Sequence, residues 1–231
     1  MRSVTVAEGA AVSVAVLDLD SGSSAVYGTG AFDTASIVKV DILAALLLQA
    51  QDAGRRLTTQ ERAYATAMIE NSDNDSASAL WRSIGRAEGL DAANRRLGLT
   101  ETSGGEGTLW GLTQTTAADQ LTLLTQVFGD GSSELSKASR TLVQDLMGRI
   151  AEGQDWGVSA AADGSAWALK NGWLPRGTTG LWDVNSIGRV RSGGTGYLVA
   201  VLSNGNTTKE EGITLVETAA RAAVSAFGTA D

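Results

Sequence analysis

The stretch from Ser36 to Ala50 limits the possible folds more than any other part of the chain: it is rich in Ala and Leu, holds no Gly or Pro, and is apolar on nearly every side. Its spacing predicts a helix that ends near Gly54. A helix apolar all round must be covered all round, so the rest of the chain has to supply layers on every side of it.

The flanking sequence indicates what those layers are. Val12, Val14, Val16 and Leu17 run into Asp18-Leu19-Asp20-Ser21-Gly22 and then Ser24-Ala25-Val26-Tyr27-Gly28, which predicts a hairpin over residues 11–28. Residues 58–150 predict helices over Thr58–Glu70, Asp75–Ile84, Leu90–Leu97, Thr116–Phe128 and Ser136–Ile150, broken at polar or Gly-containing joints. Past residue 155 the texture becomes strand-like, in Ser165–Lys170, Leu181–Gly188 and Gly196–Leu202, with Ser192-Gly193-Gly194 as a turn. Ile213–Phe227 predicts a closing amphipathic helix. Strands at both ends with helices between imply an α/β fold of the α+β kind. One sheet is assembled from the two termini, as a lobe of residues 1–54 and 155–231, with a mainly helical lobe, 55–154, inserted. No internal repeat is visible.

Composition bears on chemistry chiefly through two absences: among 231 residues there is no Cys and no His. Disulfides, thiolate nucleophiles, zinc fingers, Ser-His-Asp triads and HExxH helices are all excluded. Acid–base work falls to carboxylates, Lys, Tyr and hydroxyl groups, and no metal or other cofactor is expected. A net charge of −8 argues against nucleic-acid binding. No apolar run approaches the roughly 18 residues that span a bilayer, so no membrane insertion is expected. The start at Met1-Arg2-Ser3 lacks the basic-then-apolar pattern of a signal peptide.

Three short runs can carry chemistry. Only four lysines are present, and Ser36-Ile37-Val38-Lys39 is the only S-x-x-K. One helical turn puts hydroxyl and amine on the same face, a helix start offers free N–H groups to an oxyanion, and apolar surroundings lower a lysine pKa. The plain alternative is a capping serine and a surface lysine. Asn71-Ser72-Asp73-Asn74-Asp75 suits a helix-ending turn with the next N-cap, or a Ser72 proton relay with Asn74 offering an amide to a carbonyl. Lys170-Asn171-Gly172-Trp173 suits a strand end, or a strand whose glycine admits substrate while the ammonium acts as an anchor. Asp18-x-Asp20-x-Gly22 lacks the later ligands of a calcium loop, and Gly193–Gly196 lacks those of a phosphate loop, so both read as turns. The six Trp are scattered and read as core or cleft filling.

Taken together and in this order, the runs resemble the S-x-x-K, S-D-N and K-T-G set of the penicillin-recognising serine enzymes. The chain is similar to the class A β-lactamase-like serine hydrolases, and more narrowly to the group found in high-GC Gram-positive bacteria. Met68–Asn74, Trp110-Gly111-Leu112-Thr113 and Trp182–Gly188 share in the likeness, which covers about residues 12–228. It implies an antiparallel sheet flanked by helices, with the site between sheet and helical lobe. It also implies Ser36 as acylated nucleophile, Lys39 as its base, Ser72 as proton shuttle and Lys170 as electrostatic anchor. Asn74, Asn171, Gly172 and Trp173 would meet the substrate, a small molecule or peptide. The oxyanion hole would join the Ser36 N–H to one just after Gly172, with Trp173 as the candidate donor.

Three departures bear on function. The loop whose Glu frees the acyl-enzyme in class A β-lactamases is replaced by the short, Gly-rich Leu99–Gly107, without the E-x-x-L-N pattern; Glu101 and Glu106 read as solvated loop residues. Asn171 stands where the family carries a hydroxyl. Ser36 and Ser72 lie closer in sequence than in classical β-lactamases. The expectation is a serine hydrolase or acyltransferase working on amide or ester bonds, with hydrolysis, transpeptidation or cyclisation as the second step. The alternatives are a weak β-lactamase, a non-hydrolysing penicillin- or peptidoglycan-binding module, and a tailoring enzyme acting inside the cell. Family habit implies a secreted or cell-envelope protein with its leader absent from this sequence, against a cytoplasmic one.

Overall fold

The computed structural model describes residues 4–164 and 166–227; the expectations touching Met1–Ser3 and Ser165 lie outside these. The predicted hairpin is β1 (Ala11–Asp18) and β2 (Ser24–Tyr27), and the Asp18 carboxylate accepts from the backbone N–H of Asp20 and Ser21 in its turn. After β3 (Phe32–Asp33), one 3-10 turn, Ala35–Ile37, leads into α1 (Val38–Asp52). The helices α2 (Thr59–Glu70), α3 (Asn74–Ser83) and α4 (Arg86–Leu97) follow, then β4 (Gln114–Thr115), α5 (Ala117–Phe128) and α6 (Lys137–Met147). The chain closes with β5 (Trp167–Pro175), β6 (Trp182–Ser192), β7 (Thr195–Asn206) and α7 (Lys209–Ser225).

Both ends of the chain supply the sheet, in the order β2-β1-β7-β6-β5, with every pair antiparallel. The apolar run in β7 fills both faces by strand alternation. Leu198, Ala200 and Leu202 join α1 to α6 on one side, and Tyr197, Val199 and Val201 join α7 on the other. Twelve of the 15 residues of α1 are buried, Lys39 and Asp41 among them, so the helix is covered on every side.

The structure moves several expected boundaries. α7 begins four residues before Ile213, capped by the Thr208 hydroxyl. Gly212, which hides this turn in the sequence, is needed because a Cβ there would lie 2.4 Å from the Val184 side chain. α4 starts at Arg86 rather than Leu90, and α6 ends at Met147 rather than Ile150. The two-residue strands β3 and β4, too short to show a period, pair with each other. Beside them the Thr34 N–H donates to the Thr113 carbonyl at 2.9 Å.

Candidate active site

Ser36 lies in the 3-10 turn just before α1 rather than in its first turn. The backbone there is strained: Ala35, immediately before it, has φ +48°, in the left-handed region. Asn185, buried in β6, donates its side-chain N–H to the Asp33 and Thr34 carbonyls at 2.9 and 3.1 Å, pinning the loop that presents Ser36. Gly172 of β5 packs on the same backbone, since a Cβ there would lie 2.7 Å from the Ser36 nitrogen.

One turn later, Lys39 is fully buried. Its Nζ lies 3.0 Å from Ser36 Oγ, 3.0 Å from Ser72 Oγ, 2.7 Å from the Ser72 carbonyl and 2.8 Å from Asn74 Oδ1. Burial pulls its pKa from the ordinary 10.5 down to about 7, opposed by the Asp73 carboxylate. Ser72 also sits in the left-handed region, at φ +55°. Within its segment, Asp73 caps α3 by accepting from the Ser76 N–H at 2.7 Å while Ser72 faces the lysines.

Lys170 reaches the same hydroxyl from the sheet, its Nζ 3.1 Å from Ser72 Oγ. Burial first, then the charge of Lys39, lowers its pKa to about 7. Ser36, Lys39, Ser72 and Lys170 therefore form one connected chain of oxygens and amines, a path for a proton.

Alternation along β5 decides the other predicted residues. Lys170 and Gly172 face Ser36, so Asn171 and Trp173 project their side chains to the opposite side. The Asn171 amide donates to the Gln154 and Trp156 carbonyls, both at 2.8 Å, and its Oδ1 is buried without a partner. The Asn171 side chain, expected to meet substrate, thus holds the 154–156 loop on the strand face away from Ser36. The Trp173 ring packs with Trp156, centroids 5.9 Å apart, which leaves only its backbone beside the site. Asn74 keeps its place at the cavity wall.

The sequence reading left three neighbours without a role. The Trp110 ring lies under Lys39, with Nζ 4.9 Å from its centroid, and its indole N–H donates to Ser78 Oγ at 3.1 Å. The Asp73 carboxylate acts on Lys39 by its charge, holding its pKa up against burial. Arg176 pairs with Asp33 and, at 3.6 Å, with Asp183. The family likeness of Trp110–Thr113 and Trp182–Gly188 was the available signal for Trp110 and Asn185; Arg176 gave none.

A cavity of about 530 Å³ opens over Ser36. Its described walls hold no carboxylate, and neither Glu101 nor Glu106 is among them. No group of three or more His, Cys, Asp or Glu among the described residues is arranged to hold a metal ion.

A five-stranded antiparallel sheet flanked by helices, with this cluster at its edge, is the architecture of the β-lactamase-like, penicillin-recognising serine hydrolases. The chain matches the family described as "Beta-lactamase enzyme family" over residues 2–64 and 59–227, and it belongs to that family. The solved structure of PBP-A superposes with a TM-score of 0.82 at 22% identity, covering 98% of this chain and 93% of that one. The TLA-1 extended-spectrum β-lactamase gives 0.81 at 16%, covering 92% and 91%. A β-lactamase from Xanthomonas campestris pv. campestris gives 0.75 at 23%, covering 93% and 91%. Among curated proteins, LppW of Mycobacterium tuberculosis, named as a candidate lipoprotein, is 28% identical over 175 residues, 73% of this chain. The chain spans about half the length of that relative, 55%.

Proposed function

We propose that this domain is a serine hydrolase or acyltransferase that cleaves amide or ester bonds through a Ser36 acyl-enzyme, in the cleft between a sheet lobe (1–54, 155–231) and a helical lobe (55–154). The observation that carries it is the buried Lys39 amine, held 3.0 Å from both Ser36 Oγ and Ser72 Oγ and poised near neutrality. Neutral Lys39 takes the Ser36 proton as Oγ bonds to the substrate carbonyl carbon. The resulting oxyanion is held by the Ser36 N–H and, on this reading, the Trp173 N–H. Collapse breaks the bond to the leaving group, which receives the proton from Lys39 by way of Ser72. Lys170 keeps the Ser72 hydroxyl oriented, and Asn74 offers its side-chain N–H to the acyl carbonyl.

The acyl-enzyme then waits for water or another acceptor. With no carboxylate in the described cavity wall, Lys39 is left as the base for both steps and no second base activates water, and on this reading deacylation is the slow step. That favours acyl transfer or slow turnover over efficient β-lactam hydrolysis, and a non-hydrolysing penicillin-binding role uses the same feature. PBP-A, one of the similar structures, was captured as a point mutant in an acyl-enzyme complex with penicillin G. The kinship with LppW supports a cell-envelope location and a high-GC Gram-positive source. The test is pre-steady-state cleavage of a p-nitrophenyl ester. A burst approaching one equivalent, followed by a slow phase and absent in Ser36→Ala, is expected. A linear trace identical in the variant would overturn the proposal.

A further inference from the structure

We propose that the groove between the end of α6 and the sheet is a second binding site, for a small soluble ligand bearing a phosphate group, held by Arg189 and Arg191. The groove encloses about 650 Å³ and shares no wall residue with the cavity over Ser36, so the inference stands apart from the acyl-enzyme reading.

The sheet brings two arginines together there. Arg189 and Arg191 stand two positions apart in β6, so their side chains leave the same face, the face that Ala168 of β5 shares as the partner of Arg189. Gly196 of β7 lies directly opposite Arg191, and a Cβ on it would be 3.7 Å from Arg189 Nη2. Cross-strand neighbours on one face start about 4.5–5.5 Å apart. The Arg189 guanidinium therefore rests beside the root of the Arg191 side chain. Both residues are exposed, and no ion pair among the described residues involves either. Two like charges set this close repel, and an anion between them turns the repulsion into attraction.

Just past α6, Arg149 adds a third guanidinium to the wall. It gives its Nε–H to Glu70 at 2.9 Å, and its side chain is 61% exposed. Asp145 is the one carboxylate in the described wall, and none of the ion pairs among the described residues joins it to these arginines. Asp163, whose backbone N–H donates to the Arg191 carbonyl, turns its carboxylate to the Gly193 N–H at 2.6 Å. The arginines thus outnumber the carboxylates facing them, Asp145 and Glu70, in a chain of net charge −8. A tetrahedral phosphate presents oxygens to two guanidinium forks at once, whereas a planar carboxylate pairs with one fork edge to edge. Ala168 and Phe128 add apolar wall for the rest of the ligand. The net negative charge sets the chain against an anionic membrane surface, which leaves a soluble ligand as the occupant.

The test is isothermal titration of the whole chain with sodium pyrophosphate. At about 50 mM salt it should saturate with a Kd of about 0.1–1 mM, and at about 300 mM salt it should bind several-fold more weakly. The double variant Arg189→Gln/Arg191→Gln should raise Kd by about tenfold or more. Arg82→Gln/Arg95→Gln removes the same charge from exposed helix positions outside the groove, and should leave Kd within about twofold. Malonate should bind about fivefold more weakly than pyrophosphate, and phosphatidylglycerol vesicles should not carry the chain down on sedimentation. No saturable heat, an equal loss in both double variants, malonate as tight as pyrophosphate, or retention by the vesicles would overturn the inference. Each of these outcomes leaves the Ser36 chemistry untouched.

Discussion

Acylation of Ser36 should switch on with pH through the neutral range, because only neutral Lys39 can accept the serine proton. At the ordinary lysine pKa of 10.5, about one molecule in 3,000 would be neutral at pH 7; at about 7, roughly half are. Burial therefore raises the competent fraction on the order of a thousandfold. The acylation rate, measured by quench and mass analysis from pH 5 to 9 with a neutral activated ester, should climb about tenfold per unit below 6 and level off above about 8. Asp73→Asn sharpens the test. The amide keeps a capping oxygen for the Ser76 N–H but removes the charge that raises the Lys39 pKa, so the midpoint should move to lower pH. Lys39→Met should cost at least a hundredfold at the plateau. A flat profile, a midpoint above 9, or an upward shift in Asp73→Asn would refute the base assignment.

Other outcomes follow from single contacts. Gly172→Ala places a Cβ 2.7 Å from the Ser36 nitrogen and the Thr34 carbonyl, and acylation should fall about a hundredfold as the nucleophile is displaced. Asn171→Ala removes two bonds to the 154–156 loop and should lower unfolding free energy by about 1–3 kcal/mol, with KM for a neutral ester changed less than about threefold; a large KM rise would restore Asn171 to the substrate. Asp41, buried in α1 beside Gln120, has its pKa raised by burial from 3.8 to about 7. The folded state holds that proton, so its stabilising contribution is complete below pH 3.8 and lost above about 7. Urea unfolding of Asp41→Asn should show less loss of stability between pH 5 and 8 than the parent, by up to about 3 kcal/mol; an equal loss would refute the neutral carboxyl.

The core was easily read from the sequence because its pattern is long. The all-apolar α1, the alternating β1 and the continuous β7 each bury enough surface to leave a period. Ser36, Lys39, Ser72, Asn74 and Lys170 were found through spacing and order, and the structure brings them together. The rest was hidden by local physics. Gly212 and Gly89 sit in helices because neighbouring elements approach too closely for a side chain, so the sequence shows breakers where the chain is helical. The faces of Asn171 and Gly172 follow from strand alternation, which a motif match ignores. The contacts of Trp110 with Lys39, of Arg176 with Asp33, and of Asn185 with Asp33 and Thr34 join residues far apart in the chain, and no local pattern carries that information.

The central claim, that Ser36 is a live nucleophile, is tested most directly by intact-protein mass after incubation with an activated neutral ester and with a penicillin, followed by peptide mapping. A nucleophilic Ser36 gives a single acyl adduct, located on the peptide containing Ser36, slow to decay, and missing in Ser36→Ala. An adduct elsewhere, or one that persists in Ser36→Ala, would contradict it.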